Sequence, residues 1–152
     1  MKKIRNIIDG ELFEEFILEN VFNPKDYDIL EKSHPYNDKY YVLSNNNPDY
    51  KFKCKKTNRI FWIECKFKNE YNMYDDFLEF KESQFKRYKK LKEPVFYIIG
   101  TGVYVQCVEE LSIIPYDEMY PKLFLSQFDK FKIPIDYISD FNELLELTTK
   151  KP

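Results

Sequence analysis

The segment that decides the fold is Pro-Asp-Tyr-Lys-Phe-Lys-Cys-Lys-Lys-Thr-Asn-Arg-Ile-Phe-Trp-Ile-Glu-Cys-Lys, residues 48–66. Residues 60–67 are rich in β-branched and aromatic side chains, as expected for a strand buried on both faces. Glu64 and Lys66 interrupt this apolar run. Because side chains alternate across a strand, these two charged groups share one face. Such a pair indicates either an internal ion pair or a functional site.

The first half of the segment predicts a second strand that pairs with the first. Residues 50–56 alternate between apolar side chains and lysines, which is typical of a half-buried strand. A short turn at residues 57–59 would join the two strands into a hairpin. Such a hairpin brings Asp49, which follows Pro48, within reach of the same ion as Glu64.

The spacing of these residues resembles the signature of the PD-(D/E)xK nuclease superfamily, which has the restriction-endonuclease-like fold. Pro48-Asp49 is followed by 14 intervening residues and then by Glu64-Cys65-Lys66. The chain looks similar to the branches that include Holliday junction resolvases. The resemblance covers roughly residues 8–105.

Two flanking elements resemble the same superfamily. Glu14 lies four residues after Gly10 in a predicted first helix, where a glutamate often joins the metal site of the superfamily. Gln84 and Tyr88 resemble the QxxxY motif on the helix after the catalytic strand. For Glu14, the alternative is an ordinary acidic side chain in the first helical turn.

The resemblance implies an α/β fold with a mixed central sheet flanked by helices, in the order αβββαβ. It also implies a metal-dependent phosphodiester hydrolase, an endonuclease acting on DNA; the resemblance does not fix the type of DNA, and branched or structured DNA is one candidate substrate. Mg²⁺ or Mn²⁺ would be held by Asp49, Glu64, the backbone carbonyl of Cys65, and Glu14. Lys66 would orient or deprotonate the attacking water, or stabilise the pentavalent phosphorus, and Gln84 would position water or phosphate.

Composition is consistent with a single domain. The chain has 152 residues, enough for one core, which we expect at about residues 8–108 with an aromatic-rich extension at 109–152. The total of 24 basic and 26 acidic residues gives no overall field that would attract nucleic acid. Residues 49–92 nevertheless carry 13 Lys or Arg against 7 Asp or Glu. The residues expected to contact nucleic acid are Lys51, Lys53, Lys55, Lys86, Arg87 and Tyr88; the alternative is a set of solvated side chains.

Patterning predicts the remaining elements. Residues 10–23 predict an amphipathic helix capped by Asp9, and residues 78–91 a basic second helix. Residues 24–47 are expected to be irregular, apart from a short strand at 40–43, and His34 within them is treated as incidental. A strand at 95–99, a turn at 100–102 and a hairpin partner at 103–108 follow, with a last helix near 141–147.

Other features exclude some classes of protein. Cys54, Cys65 and Cys107 lack the spacing of a zinc site and are expected to be core residues in strands. No apolar run is long enough for a membrane span, so we expect a cytoplasmic protein. The extension is expected to pack on the main sheet or on a second subunit of a homodimer. A catalytically inactive nucleic-acid-binding or assembly module with the same fold is the main alternative, and an interaction protein with an accidental motif is a third.

Overall fold

The computed structural model describes residues 2–33, 47–69 and 77–149. In the described ranges the helices and strands follow in this order: α1 (Lys2–Asn20), β1 (Tyr27–Lys32), β2 (Tyr50–Cys54), β3 (Ile60–Asn69), β4 (Phe77–Glu79), α2 (Glu82–Lys89), β5 (Val95–Gly102), β6 (Glu110–Pro115), β7 (Lys122–Phe124), α3 (Leu125–Phe128), β8 (Lys132–Ile133) and α4 (Phe141–Thr148). Short 3-10 turns at Tyr116–Glu118 and Asp129–Phe131 flank the β7–α3 region.

A mixed sheet organises the fold. Its described strands lie in the order β1-β2-β3-β5-β6-β8, and β4 and β7 form a separate two-stranded sheet. β3 and β5 are parallel, whereas β1–β2, β2–β3, β5–β6 and β6–β8 pair antiparallel. The expectation of an α/β domain with a mixed sheet flanked by helices is confirmed.

Apolar clusters cover both faces of the sheet. On one face, Phe13 and Ile17 of α1 pack with Phe52, Phe61 and, from α4, Phe141. On the other face, a second cluster contains Trp62, Tyr88, Tyr97, Leu78 and Leu123. β5 is buried along its whole length, as expected for a central strand covered on both sides.

The predicted hairpin is confirmed. β2 pairs with β3 in a register that places Tyr50 opposite Ile63, and the apolar residues of β2 are buried in alternation. Asn58 in the connecting turn has φ 61°, a left-handed conformation that asparagine adopts more readily than most residues. The register leaves Asp49 and Glu64 at the next position beyond the last pair of the ladder.

The first helix starts earlier than predicted. α1 begins at Lys2 instead of residue 10 and ends at Asn20 instead of residue 23, so Asp9 lies inside the helix and does not cap it. No proline interrupts residues 2–9, and Gly10 is accommodated within the helix. Val21 and Phe22 follow the helix and donate their backbone N–H groups to the carbonyl of Ile17, at 2.9 Å in both cases.

Several other boundaries were predicted wrongly. Residues 27–32 form the edge strand β1, although their short, mostly exposed sequence lacks a clear alternation. The second helix begins at Glu82 because residues 77–79 form β4. β5 continues to Gly102, and its hairpin partner is β6, whereas residues 103–109 form the connection. Cys107 therefore lies exposed in a loop and not in a strand.

Residues 109–149 complete the main sheet. β6 and β8 extend it beyond β5, and Phe141 and Leu144 of α4 are fully buried in the cluster beneath α1. α4 is capped by Asp140, whose side chain accepts a hydrogen bond from the backbone N–H of Glu143. The strand predicted at 40–43 and His34 lie outside the described residues.

Candidate functional site

The site begins at the turn that precedes β2. Ser33, which is buried after β1, donates its hydroxyl to the carbonyl of Pro48 at 2.9 Å. Its backbone N–H donates to the carbonyl of Asp49, also at 2.9 Å. These bonds fix the backbone on both sides of the Asp49 side chain. The side chain then accepts a hydrogen bond from the backbone N–H of Cys65 at 2.7 Å.

Asp49 thus occupies the place where β2 would otherwise continue its pairing with β3. The ladder between these strands stops at Tyr50 and Ile63. Beyond that pair, a side-chain carboxylate replaces the backbone partner of Cys65. The two strands therefore separate here, and the gap is lined by acidic groups.

Glu64 is the second carboxyl group in the gap. It is buried at 8% exposure, on the face of β3 that points toward α2. The Tyr88 hydroxyl donates a hydrogen bond to its Oε2 at 2.7 Å. Tyr88 lies four positions after Gln84 on α2. It is buried because it packs against β3 and holds the carboxyl group of Glu64.

The carboxyl groups of Asp49 and Glu64 lie close enough for each to shift the pKa of the other. Burial raises the pKa of both groups, and the negative charge of Asp49 adds to the increase at Glu64. Hydrogen bonds from Glu64 and from the Cys65 N–H oppose the increase at Asp49. The net effect of these interactions favours the protonated carboxyl groups over a pair of ionised carboxylates.

Lys66 and Gln84 face the same space. Lys66 is exposed and follows Glu64 by two positions on the same face of β3, and Gln84 is partly buried on α2. Asp49, Glu64, Cys65, Lys66 and Gln84 all line one cavity of about 370 Å³. The structure therefore brings together five of the residues that the sequence nominated.

The cavity also contains residues that the sequence analysis did not nominate. They are Ser33, Asn47, Glu79, Phe80 and Lys81. Lys81 could have been predicted, because it lies three positions before Gln84 at the start of the helix, and residues three apart are neighbours on a helix surface. Glu79 and Phe80 could not have been predicted, since Glu79 lies in β4 and Phe80 directly follows it, and the sequence did not reveal this strand.

Glu14 lies beside this site but does not line the cavity. It projects from α1, and one carboxylate oxygen, Oε1, is buried without a hydrogen-bond partner among the described residues. Burial and, to a smaller extent, the charge of Asp49 raise the pKa of Glu14 to about 8, against the opposing charge of Lys32. Glu14 and Asp49 thus interact electrostatically.

The donor set available for a cation is small. Within residues 2–33, 47–69 and 77–149, no group of three or more His, Cys, Asp or Glu side chains is arranged to hold a metal ion. Asp49 and Glu64 are the two carboxyl groups in contact. Hard divalent cations prefer carboxylate and carbonyl oxygens, so the chemistry of this pair suits Mg²⁺ or Mn²⁺.

The predicted basic surface is only partly available to a ligand. Lys51 pairs with Glu31 at 3.4 Å and Glu93 at 3.6 Å, and its Nζ lies 5.0 Å from the centre of the Trp62 ring. Lys51 therefore stabilises the edge of the sheet.

The other basic candidates differ in exposure. Lys55 is exposed and lies 3.7 Å from Asp28, and Lys53 is partly buried. Lys86 and Arg87 are exposed on α2 without lining the cavity. Tyr88, at 2% exposure, is buried and cannot offer a nucleic acid its ring; its role is to hold Glu64.

Comparisons with known proteins add no family assignment. Neither protein-family models nor curated proteins match this chain. Among the described helices, none has the length and apolar character needed to cross a membrane.

Proposed function

We propose that this chain is a metal-dependent phosphodiester hydrolase, an endonuclease acting on DNA, with the restriction-endonuclease-like fold of the PD-(D/E)xK superfamily. One observation carries the proposal: Asp49, Glu64 and Lys66 meet in a single cavity where β2 and β3 separate. Residues 15 positions apart in sequence are in contact there because of the hairpin register. A cavity lined by two neighbouring carboxyl groups and a lysine is suited to phosphate chemistry.

The residues present fit a divalent cation. Glu64 is buried and Asp49 is partly buried, and the pKa of both carboxyl groups is raised, so a cation bound by both would compensate the negative charge that this environment disfavours. They would hold Mg²⁺ or Mn²⁺ together with the backbone carbonyl of Cys65. When bound, such a cation stabilises negative charge on the phosphoryl group and makes water a better nucleophile at neutral pH.

The protein's own groups have separate roles in this proposal. Tyr88 fixes one oxygen of Glu64, which leaves the other oxygen directed toward Asp49. Lys66 contacts the phosphoryl oxygens or orients the attacking water from the exposed side of the cavity. Gln84 positions water or phosphate from α2, and Glu14 would bind the cation from α1, directly or through water.

The test is cleavage of supercoiled plasmid and of a branched DNA by the purified protein with Mg²⁺ or Mn²⁺. Glu64→Gln keeps the size of the side chain and removes its acidity, and Lys66→Ala removes the ammonium group. We expect each variant to lose activity by about 100-fold or more. Lys89→Ala, at an exposed position on α2 outside the cavity, is the matched control and should retain activity.

The outcomes separate the proposal from its alternative. Metal-dependent cutting that disappears in both site variants supports the endonuclease. Equal cutting by wild type and variants would place the activity outside this cavity. Binding of DNA without cutting by the wild type would instead favour an inactive nucleic-acid-binding module.

A further inference from the structure

The two-stranded sheet formed by β4 and β7 has a buried face and an exposed face. The two strands pair Phe77 with Phe124, Leu78 with Leu123 and Glu79 with Lys122. Leu78 and Leu123 are buried against the main sheet, at 7% and 1% exposure. Alternation along each strand therefore places the other four side chains on the outer face. We call this outer face, Phe77, Glu79, Lys122 and Phe124, the aromatic platform.

A cation lies over the rings of this platform. Although Glu79 is directly opposite Lys122 in the register, the Lys122 ammonium lies 4.1 Å from the centre of the Phe77 ring and 5.6 Å from that of Phe124. The two rings are 6.0 Å apart and nearly perpendicular. Phe124 is 45% exposed, so part of its ring is open to solvent.

The platform is continuous with the candidate site. Glu79 belongs to the outer face and also lines the cavity that contains Asp49 and Glu64. Phe77 is two residues away along β4, a distance of about 7 Å for an extended chain. A nucleic-acid strand with one phosphodiester in the cavity would thus place a neighbouring base at the platform.

We propose that the aromatic platform stacks an unpaired nucleobase next to the phosphodiester bound at the candidate site. This inference rests on the proposed function. An exposed ring offers a flat apolar face to any base, and an adjacent ammonium attracts both the base and its phosphate. The combination favours single-stranded or unpaired nucleotides, since a base inside a duplex has no free face. Branched and frayed DNA contains such nucleotides.

The test compares binding of two fluorescein-labelled 12-nucleotide DNA single strands by fluorescence anisotropy, with EDTA present to prevent cleavage. One strand is complete, and the other has abasic residues at its centre. We expect Phe124→Ala to bind the complete strand about tenfold more weakly than wild type. Wild type should bind the abasic strand more weakly than the complete strand by a similar factor. Phe124→Ala should bind the two strands with nearly the same affinity. Tyr137→Ala, at a tyrosine of 50% exposure outside the platform, is the matched control.

Two results would overturn the inference. Phe124→Ala could bind the complete strand as tightly as wild type, or wild type could bind both strands equally. In either case, metal-dependent plasmid cleavage that persists would show that the proposed function survives without the platform. If the wild type neither binds these strands nor cuts DNA, both proposals fail together. Urea unfolding of Phe124→Ala checks that the variant remains folded.

Discussion

Replacing Glu14 with glutamine should stabilise the protein at alkaline pH and leave it unchanged in acid. Burial raises the pKa of this carboxyl from 4.5 to about 8. Below pH 4.5 the group is protonated in both the folded and the unfolded chain, so it does not change the free energy of unfolding. As the pH rises toward 8, the unfolded chain releases the proton while the folded chain retains it, and the free energy of unfolding falls.

The size of this effect follows from the interval between the two pKa values. An interval from 4.5 to about 8 corresponds to an upper limit of about 5 kcal/mol. Because the Glu14 side chain is only partly buried, solvent screens it, and we expect about 2 kcal/mol. Glutamine has nearly the same shape and no charge, so Glu14→Gln removes the penalty without leaving a cavity.

The assay is urea unfolding of wild type and Glu14→Gln at pH 4.5, 6 and 8 without divalent cations. The free-energy difference should grow with pH in favour of the variant. Glu19→Gln, at an exposed position on the same helix, controls for the loss of one negative charge. A constant difference across the pH range would refute the reasoning. If Glu14 also takes part in cation binding, Mn²⁺ should stabilise wild type more than the variant.

Three further substitutions test the packing of the protein and the support of the site. Gly100→Ala should lower the free energy of unfolding by about 1–3 kcal/mol, because the added Cβ would lie 2.4 Å from the Phe13 ring. Gly10→Ala should raise the free energy of unfolding by about 0.5–1 kcal/mol, because no atom lies within 4 Å of the added Cβ and alanine favours a helix over glycine. Tyr88→Phe should lower the free energy of unfolding by about 1–2 kcal/mol and slow any cleavage, because it removes the hydroxyl that donates to Glu64 Oε2. Urea unfolding and the plasmid assay measure these effects.

The controls for these substitutions lie elsewhere on the surface. Tyr137→Phe removes the hydroxyl of a half-exposed tyrosine and should change neither stability nor cleavage. If Gly100→Ala is as stable as wild type, the close packing of α1 on β5 is not as described. A fully active, equally stable Tyr88→Phe would remove Tyr88 from the support of Glu64.

The hairpin and its acidic pair could be predicted because local patterns determine them. Alternation along residues 50–56 and the apolar run at 60–67 fix which side chains face each other once a short turn joins the strands. That register alone places Asp49 beside Glu64. The burial of Tyr50, Phe52 and Cys54 was predictable for the same reason.

Elements that depend on distant partners could not be predicted in this way. β1 has mostly exposed side chains, and only its backbone pairing with β2 makes it a strand. β4 is three residues long and exists because β7, more than 40 positions later, pairs with it. Since β4 supplies Glu79 and leads into Phe80, part of the cavity was hidden from sequence analysis for the same reason.

Charge counting also gave an incomplete view of the basic residues. Lys51 faces the polar side of β2 as alternation predicts, yet it is paired with two glutamates from separate parts of the chain. Neither Glu31 nor Glu93 is near it in sequence. Whether a lysine is free for a ligand depends on such contacts, which only the folded chain reveals.

The proposed function requires that Asp49 and Glu64 together hold a divalent cation. The decisive measurement is calorimetric titration of Mn²⁺ into wild type, Glu64→Gln and Lys66→Ala. We expect one site in wild type, loss of that site in Glu64→Gln, and retention of it in Lys66→Ala even though that variant no longer cuts DNA. Mn²⁺ binding that is unchanged in Glu64→Gln, or absent from wild type, would show that the two carboxyl groups do not form a cation site.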